Sequence, residues 1–500
     1  MNRNQKLKAN MISSLVLQLS VFASGIILPR LFIEFYGSKT NGLISSIQQF
    51  LGFISLGEMG IGAVIQFNLY KPLAENNWSR VSSIITSANK FFSNLLKCIV
   101  VYIIILSALL PFKVLDQFPY FFTFTLVLSI ALSYIMQYYF GMTYRQLLDA
   151  DQLSFVRVIP QIFQIIINII VCIFLIKIQV NVQIVKLVTS LIYSIQPLAI
   201  YIYCKKYYPN VRTNIKLSEE PIKQKWNGIA QHLAAVVLKD TDVVVLTLLS
   251  SLENVSVYSV YNLVINGIEV IIESVVNNFT ALFGELLAKS KIDELKKKFD
   301  LFESIYHCLI IIVFFCIGRL IVPFVEVYTK GITDANYKTP LFAILLTFAQ
   351  WLYCARLPYH IMVKAAGHYK ETQNSAIIEA TLNIVISVAT VYVWGLVGVA
   401  LGTATAMLYR SIYYWIYLKK NVLNRPLKKV ISIYFRDLVI VGLSTICTSW
   451  LELVHVSYLS WIMLACGVFV ITSVIAFVVL IITDKKNVIS LLKHVIIDKK

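Results

Sequence analysis

The chain has few charged residues for its length. Of 500 residues only 14% are Asp, Glu, Lys or Arg, whereas 58% are hydrophobic, and the mean hydropathy is +0.74. A soluble protein carries roughly a quarter charged residues, because polar groups must cover its surface. The composition therefore excludes a soluble enzyme, a disordered scaffold and a secreted disulfide-stabilised module. It predicts an all-α polytopic membrane protein.

Several chemical motifs are also missing. The eight cysteines form no CxxC pair and mostly lie in apolar runs, so neither a disulfide framework nor a metal site is expected. The sequence contains no GxxxxGK[ST] phosphate-binding loop. The longest loop on the predicted outer side runs only from Pro323 to Pro340. We therefore expect a protein that is not an enzyme, has no catalytic residues and no cofactor, and works within the bilayer.

Apolar stretches long enough to cross a bilayer recur along the whole chain. A crossing helix needs about 20 apolar residues. About fourteen such spans are predicted, at residues 11–35, 42–69, 91–111, 118–141, 154–176, 181–203, 227–250, 255–284, 303–325, 340–363, 374–394, 396–418, 437–451 and 459–483.

The basic residues predict the orientation of these spans. Net charge is +18, and with the N-terminus inside, the inner segments hold 31 of the 44 Lys and Arg while the outer loops hold five. Basic residues accumulate in cytoplasmic loops of membrane proteins. Both termini are therefore predicted to be cytoplasmic, and nucleic acid is not an expected partner.

An internal repeat relates spans one to six with spans seven to twelve, at a displacement of about 214 residues. The inner loop LAENNWSRV (73–81) corresponds to LAKSKIDEL (287–295). Parallel repeats of this kind are typical of transporters in which two lobes rock around a cavity. The predicted domains are an N-terminal six-helix lobe at 1–204, a cytoplasmic linker at 205–226, a C-terminal six-helix lobe at 227–420, and helices 13 and 14 with a basic cytoplasmic tail at 421–500.

Ionisable residues within the spans mark a functional interior, because they are costly in hydrocarbon. Arg30 follows a proline on span one, and Glu58 lies in the glycine-rich segment LGEMGIGA (56–63) on span two. We expect Arg30 to pair with Glu58 and to release it for an anionic ligand; a permanent structural ion pair is the alternative. Four other basic residues lie close enough to span ends to reach the interface and are interpreted that way: Lys97, Arg157, Lys186 and Arg410.

A second group of polar residues offers oxygen ligands. Glu379 and Asn383 lie one turn apart on span eleven. Asp242, Asn383 and Thr403 could coordinate a small cation such as Na⁺. Protonation of a desolvated carboxylate would serve the same coupling role. Hydrogen bonding between helices is the alternative interpretation.

Distinctive segments occur in a fixed order along nearly the whole chain. They are LPRLFIEFYGSKTNGLISSIQQFL (28–51), LGEMGIGAVIQFNLYKPLAE (56–75), DTDVVVL (240–246), VYSVYNLV (257–264), AAGHYKETQNSAIIEATLNIVISV (365–388) and GLVGVALGTA (395–404). In this order they resemble Wzx-type polysaccharide flippases, a branch of the multidrug/oligosaccharidyl-lipid/polysaccharide (MOP) exporters. The resemblance is to the branch that serves capsule and exopolysaccharide clusters of Gram-positive bacteria, and it implies a MATE-like fold of two six-helix lobes plus two C-terminal helices.

The resemblance also implies a function. It implies a flippase that moves undecaprenyl-pyrophosphate-linked oligosaccharide repeat units from the cytoplasmic to the outer leaflet of the bacterial plasma membrane. Expected partners are this lipid-linked oligosaccharide, membrane lipids, a polysaccharide polymerase and other assembly proteins. The substrate-binding candidates are Arg30, Glu58, Lys239, Arg319 and Arg356.

Related flippases couple transport to Na⁺, H⁺ or the membrane potential. The ion-coupling candidates are Asp242, Glu379, Asn383 and Thr403, and Glu58 is a further carboxylate of this kind. Three alternatives stay open: a flippase for teichoic-acid or peptidoglycan precursors, a multidrug antiporter of the same fold, and a membrane polysaccharide polymerase.

Overall fold

The computed structural model describes residues 3–58, 60–213, 215 and 229–485. The chain is a multi-pass, all-helical membrane protein, and eleven helices in these ranges are long and apolar enough to cross a bilayer. About fourteen membrane helices fit the arrangement, as predicted. The two numbers differ partly because residues 3–52 contain the first predicted span and the start of the second, which are separated at Gly37, where φ of 84° and ψ of 164° are not helical; the predicted break between these spans is confirmed.

Contacts divide the chain into two compact units, Met1–Leu248 and Leu249–Lys500. Parts of the predicted linker and tail, at 216–226 and 486–500, lie outside the described residues. The helices of the first unit are α1 Arg3–Gly52, a 3₁₀ turn Phe53–Glu58, α2 Ile61–Ala74, α3 Trp78–Lys113, α4 Tyr120–Met136, a π-helical turn Gln137–Gly141, α5 Met142–Ala150, α6 Ser154–Lys177, α7 Val182–Tyr193, α8 Ile195–Tyr207 and α9 Ile229–Leu249.

The second unit continues the same pattern of long and interrupted helices. Its helices are α10 Leu252–Asn277, α11 Phe279–Ala288, α12 Ile292–Tyr328, α13 Pro340–Ala355, α14 Leu357–Ala365, α15 Gln373–Trp394, α16 Leu396–Asn421, α17 Leu427–Thr448 and α18 Tyr458–Thr483. Helix α17 begins ten residues before the predicted span at 437–451, and its charged residues Arg436 and Asp437 are buried against α12. Arg436 donates to Ser304, and Asp437 contacts His307 at 2.8 Å.

The internal repeat extends to the backbone conformation of the turns. Helix α3 begins at Trp78 and α12 begins at Ile292, which is 214 residues later. Two residues before each helix the chain adopts a left-handed conformation, with φ of 53° at Asn76 and 55° at Ser290. The same turn geometry therefore joins equivalent helices in both halves.

Helices α15 and α16 pack closely through two glycines. A Cβ atom at Gly402 would lie 2.8 Å from the backbone nitrogen of Ser387, and one at Gly398 would lie 2.5 Å from the carbonyl oxygen of Thr390. Small residues one turn apart let helix backbones approach in a membrane, where van der Waals packing drives helix association. These two positions therefore fix the α15–α16 hairpin.

The start of α1 is tied to the turn between α5 and α6. Lys6 forms an ion pair of 3.1 Å with Asp151, and the amide of Asn10 bonds to the backbone of Gln152 and Phe155. Tyr208 donates a 2.5 Å hydrogen bond to Asp151, and burial together with this bond raises the pKa of Tyr208. We call this end of the first unit the near face. The end with the Gly37 bend and the α6–α7 turn is the far face.

Candidate functional site

A polar cavity of about 380 Å³ lies inside the first unit. Helices α1, α4, α5, α6, α7 and α8 supply its walls. Its polar lining consists of three cations, five amides and five hydroxyls: Arg145, Arg157, Lys186, Gln48, Gln137, Gln161, Gln164, Gln196, Ser133, Tyr134, Thr189, Ser190 and Tyr193. Because this lining includes cations and no carboxylate, the cavity suits an anionic ligand that also carries hydroxyl groups.

The helices that surround the cavity are interrupted beside it. A π-helical turn at Gln137–Gly141 separates α4 from α5, and Ser194 separates α7 from α8. Pro197, which also lines the cavity, has no N–H to donate to the preceding turn. Irregular backbone is tolerated at membrane depth where it lines a polar cavity, and π-turns are frequent at functional sites. The helix interruptions therefore lie beside a polar cavity, where the freed backbone N–H and C=O groups can find hydrogen-bond partners.

Two arginines share one carboxylate towards the near face. The Nε atom of Arg157 lies 3.5 Å from Asp149, and that of Arg145 lies 3.9 Å from the same side chain. Ser154 donates a 2.7 Å hydrogen bond to Asp149 as well. One carboxylate cannot neutralise two guanidinium groups, so this end of the cavity keeps a net positive charge.

The glutamines form a connected row between the helices. Gln196 donates at 3.3 Å to the side chain of Gln161 and to the carbonyl of Arg157, and its own N–H bonds to Gln164 at 3.3 Å. Arg157, Gln161 and Gln164 are spaced four and three residues apart and so follow one face of α6. Hydrogen bonds of this length are slightly longer than the usual N–H···O range of about 2.7–3.2 Å and are therefore weak. These amides can therefore exchange partners with ligand hydroxyls.

Lys186 is the most unusual residue of the cavity. Its side chain is 7% exposed, and its Nζ atom lies 4.0 Å from the centre of the Phe32 ring. Within the described residues it makes no hydrogen bond or ion pair. A buried ammonium without an anion among these residues is costly, and the position can accept the negative charge of a ligand. The interpretation of Lys186 as an interface residue is wrong.

Arg30 and Glu58 each have a different partner from the one expected. Arg30 forms an ion pair of 3.4 Å with Glu34, one turn later on α1. Glu58 accepts a 2.6 Å hydrogen bond from Tyr138 on the π-helical turn. Neither residue belongs to the lining of the cavity.

Arg356 and Glu379 are paired with each other inside the second unit. Arg356 donates to one carboxylate oxygen of Glu379, and the Nε atom of Arg410 lies 3.6 Å from the other oxygen. All three side chains are buried. The interface interpretation of Arg410 is therefore wrong. The three residues form an internal charge network in which two arginines surround one carboxylate.

The remaining site candidates are dispersed. Arg319 donates at 2.7 Å to the carbonyl of Leu451, just after α17, which gives it a role in holding that helix end. Asn383 donates to Thr403 at 3.0 Å, so these two are brought together. Asp242 is buried in the first unit, and the side chain of Lys239 lies outside the described residues. Over the ranges described, no group of three or more His, Cys, Asp or Glu suits a metal ion.

An apolar groove of about 330 Å³ lies in the second unit between α12, α13 and α17. Its walls include Phe314, Phe315, Phe348 and Trp351, and Arg319 lines it too. Such a surface can accept a hydrocarbon chain.

Arg145 and the row of glutamines were not predicted as site residues. Arg145 lies just beyond the predicted span at 118–141, and the glutamines are not ionisable, although they form much of the cavity lining. A signal was present in IPQIFQIIINII (159–170), where Gln161 and Gln164 interrupt an apolar span at helical spacing.

Comparisons with known proteins agree with this architecture. No protein-family model matches the chain, and no curated protein matches it. A structure of the lipid II flippase MurJ in an inward closed conformation covers 94% of this chain and 100% of its own, with a TM-score of 0.67 and 14% identity. An inward-facing multidrug resistance MATE transporter of the MOP superfamily covers 81% of this chain and 96% of its own, with a TM-score of 0.58 and 13% identity.

A third structure, the Vibrio cholerae MATE transporter VcmN in its bent form, covers 83% of this chain and 97% of its own, with a TM-score of 0.52 and 11% identity. At these identities the likeness concerns the fold. The chain has the fold shared by MurJ and the MATE transporters of the MOP superfamily. The predicted MATE-like fold is confirmed.

Proposed function

We propose that this protein is a flippase that moves undecaprenyl-pyrophosphate-linked oligosaccharide repeat units from the cytoplasmic to the outer leaflet of the bacterial plasma membrane, for capsule or exopolysaccharide synthesis. The observation that carries the proposal is Lys186, which is buried in a cationic polar cavity without a carboxylate partner among the described residues. The fold supports it, because one similar structure is a lipid II flippase.

The chemistry of the cavity fits the polar part of such a substrate. Guanidinium groups bind phosphate oxygens through paired, charge-assisted hydrogen bonds, which suits Arg145 and Arg157 to a diphosphate. The glutamines offer donors and acceptors for sugar hydroxyls. The apolar groove of the second unit offers a surface for the polyprenyl chain. A cationic multidrug substrate would instead be repelled by this lining.

Net uphill transport by alternating access requires an energy source, and we propose coupling to Na⁺ or H⁺. Glu58 and Asp242 are the better coupling candidates. Among the described residues Glu58 has only the neutral hydroxyl of Tyr138 as a hydrogen-bond partner, and Asp242 is buried. Glu379 is less suitable because two arginines already neutralise it. In the proposed orientation both termini, and hence the near face, are cytoplasmic.

The test measures lipid-linked sugars in cells that lack the protein but keep the initiating glycosyltransferase. Complete single repeat units should accumulate on the inner leaflet. The wild type should clear them, whereas Lys186→Met at normal membrane levels should not. Lys97→Met is the matched control, because Lys97 is exposed on α3 and should clear them like the wild type.

Other outcomes identify the alternatives. Accumulation on the outer leaflet would indicate a polymerase. Accumulation of a peptidoglycan or teichoic-acid precursor would indicate a flippase with a different headgroup. Normal lipid intermediates with altered drug sensitivity would indicate a multidrug antiporter.

A further inference from the structure

The cations of the cavity lie at two different depths. Arg157 is three residues after the start of α6, and its guanidinium is held by Asp149 towards the near face. Lys186 is four residues after the start of α7, on the far-face side. Its ammonium lies against Phe32, one turn before Tyr36, whose hydroxyl donates to Val180 in the far-face turn.

The separation of the two depths follows from the helix geometry. Lys186 and Gln196 are ten residues apart along α7 and α8, which corresponds to about 15 Å at a rise of 1.5 Å per residue. The Gln196 side chain in turn donates to the carbonyl of Arg157. Asp149 holds the Arg157 guanidinium towards the near face, and Phe32 holds the Lys186 ammonium towards the far face. We infer that one phosphate group does not contact both.

The space between the two depths is polar on several sides. Gln161 and Gln164 follow Arg157 on α6, Gln137 and Ser133 lie on the α4 side, and Ser190 and Tyr193 follow Lys186 on the third side. Ser190 donates a hydrogen bond to the carbonyl of Ile130, which also lines the cavity, so α4 and α7 are directly connected on this side. An anionic headgroup that moved between the depths would stay in contact with hydrogen-bonding groups.

The two depths also differ in charge balance. The arginines share the carboxylate of Asp149, which competes with any ligand anion for them. Lys186 makes no ion pair in the part of the chain that the structure describes. At the arginines two guanidinium groups face the ligand anion while Asp149 competes with it, which suits binding followed by departure. At Lys186 a single ammonium faces the anion, without an internal competitor among the described residues. Sites in series that bind weakly enough to release their ligand favour passage, as in ion channels.

We propose that the first unit holds two anion stations in series, a loading station at Arg145 and Arg157 and a transfer station at Lys186, and that the diphosphate of the lipid-linked substrate passes from the first to the second. The proposal rests on the proposed function and assigns separate steps to residues of one cavity. The glutamine row supports the attached sugars during the passage.

The experiment separates binding from translocation. Purified full-length protein is titrated with geranyl pyrophosphate to obtain a Kd. The same protein in vesicles is tested for translocation of a fluorescent undecaprenyl pyrophosphate by quencher protection. Arg145→Met combined with Arg157→Met should raise the Kd at least tenfold. Lys186→Met should leave the Kd within threefold but slow translocation at least tenfold.

Three further variants make the result decisive. Lys186→Arg, which keeps the charge, should restore much of the translocation rate, and Lys186→Gln should behave like Lys186→Met. Lys97→Met should change neither readout. Loss of binding in Lys186→Met equal to that of the arginine variants, or normal translocation by it, would overturn the two-station proposal. A wild-type protein that neither binds nor translocates the diphosphates would instead overturn the proposed function.

Discussion

Replacing Lys186 with methionine should make the protein more stable while it abolishes transport. Methionine has a similar length and flexibility but no charge, so it fills the same space among α1, α6 and α7. The side chain is 7% exposed, and its one recorded favourable contact is with the Phe32 ring at 4.0 Å. The substitution therefore removes a buried charge and leaves no polar partner behind.

The magnitude follows from two opposing contributions. The insertion scale gives about 2.5–3.5 kcal/mol for a lysine at the centre of a membrane helix, and we apply this value to Lys186 because its side chain is buried. A cation–π contact in a desolvated site offsets about 1–2 kcal/mol of this cost. Lys186→Met should therefore stabilise the protein by about 0.5–2.5 kcal/mol, which corresponds to a rise of about 0.5–2.5 °C in the melting temperature of a chain of this length. A gain of stability with a loss of activity is typical of functional residues.

The assay is thermal unfolding of the purified protein in detergent, without added diphosphate. Lys97→Met serves as control and should shift the melting temperature by less than about 0.5 °C, because surface substitutions are usually within ±0.5 kcal/mol. A lower melting temperature for Lys186→Met, with no change for the control, would show that the ammonium is required for folding. The assignment of Lys186 to a ligand would then be refuted.

Three other substitutions test the remaining geometry. Asp149→Asn removes the competitor of two arginines, so the protein should bind geranyl pyrophosphate about fivefold more tightly in a titration, equivalent to about 1 kcal/mol. Glu379→Gln leaves Arg356 and Arg410 without their buried carboxylate and should destabilise the protein by about 3–5 kcal/mol, measured by thermal unfolding. Gly402→Val forces α15 and α16 apart and should cost about 1–3 kcal/mol in the same assay.

Each of these has its own check. Weaker diphosphate binding by Asp149→Asn would mean that the carboxylate positions the arginines rather than competing for them. Adding Arg356→Met to Glu379→Gln should recover part of the lost stability; no recovery would argue against the charge network. Gly442→Val is the control for Gly402→Val, because a Cβ atom at Gly442 meets no atom within 4 Å. Equal effects of the two valines would contradict the close-packing argument.

The fold could be predicted from sequence because it depends on properties that can be summed over each segment without knowing which residues are in contact. Span length, apolar composition and the distribution of basic residues each report on the bilayer rather than on particular contacts. The break between spans one and two follows from the same pattern, and Gly37 is indeed non-helical there. The burial of Ser38, Thr40 and Asn41 could not be predicted this way, because polar residues at the end of a span are expected to face water.

The site could be predicted less well, because it depends on which face of a helix meets which neighbour. Lys97 and Lys186 both lie within reach of a span end, but only Lys186 is turned inward against α1. Glu379 meets Arg356 and Arg410 only through the packing of α13–α14, α15 and α16. Local patterns therefore identified the charged residues but not their partners.

The ion pair between Arg30 and Glu34 on α1 matters while the chain is being synthesised. The recorded partners of its first turns lie on the α5–α6 segment; Phe155, for example, follows Asn10 by 145 residues. At about 5–20 residues per second the ribosome needs roughly 7–30 s to produce that segment. During this interval α1 lacks those partners, and even in the finished protein only 6% of its most apolar stretch is buried.

If the counter-charge of Arg30 came from a distant helix, the arginine would carry an uncompensated charge in the membrane during that interval, which is energetically costly. Glu34 lies one turn later on α1 itself, so the pair can form as soon as the first helix exists. The arginine is thus neutralised locally before any tertiary structure is available. Moving its carboxylate to another span would leave the finished fold equally balanced in charge but would expose an unpaired cation to the insertion machinery.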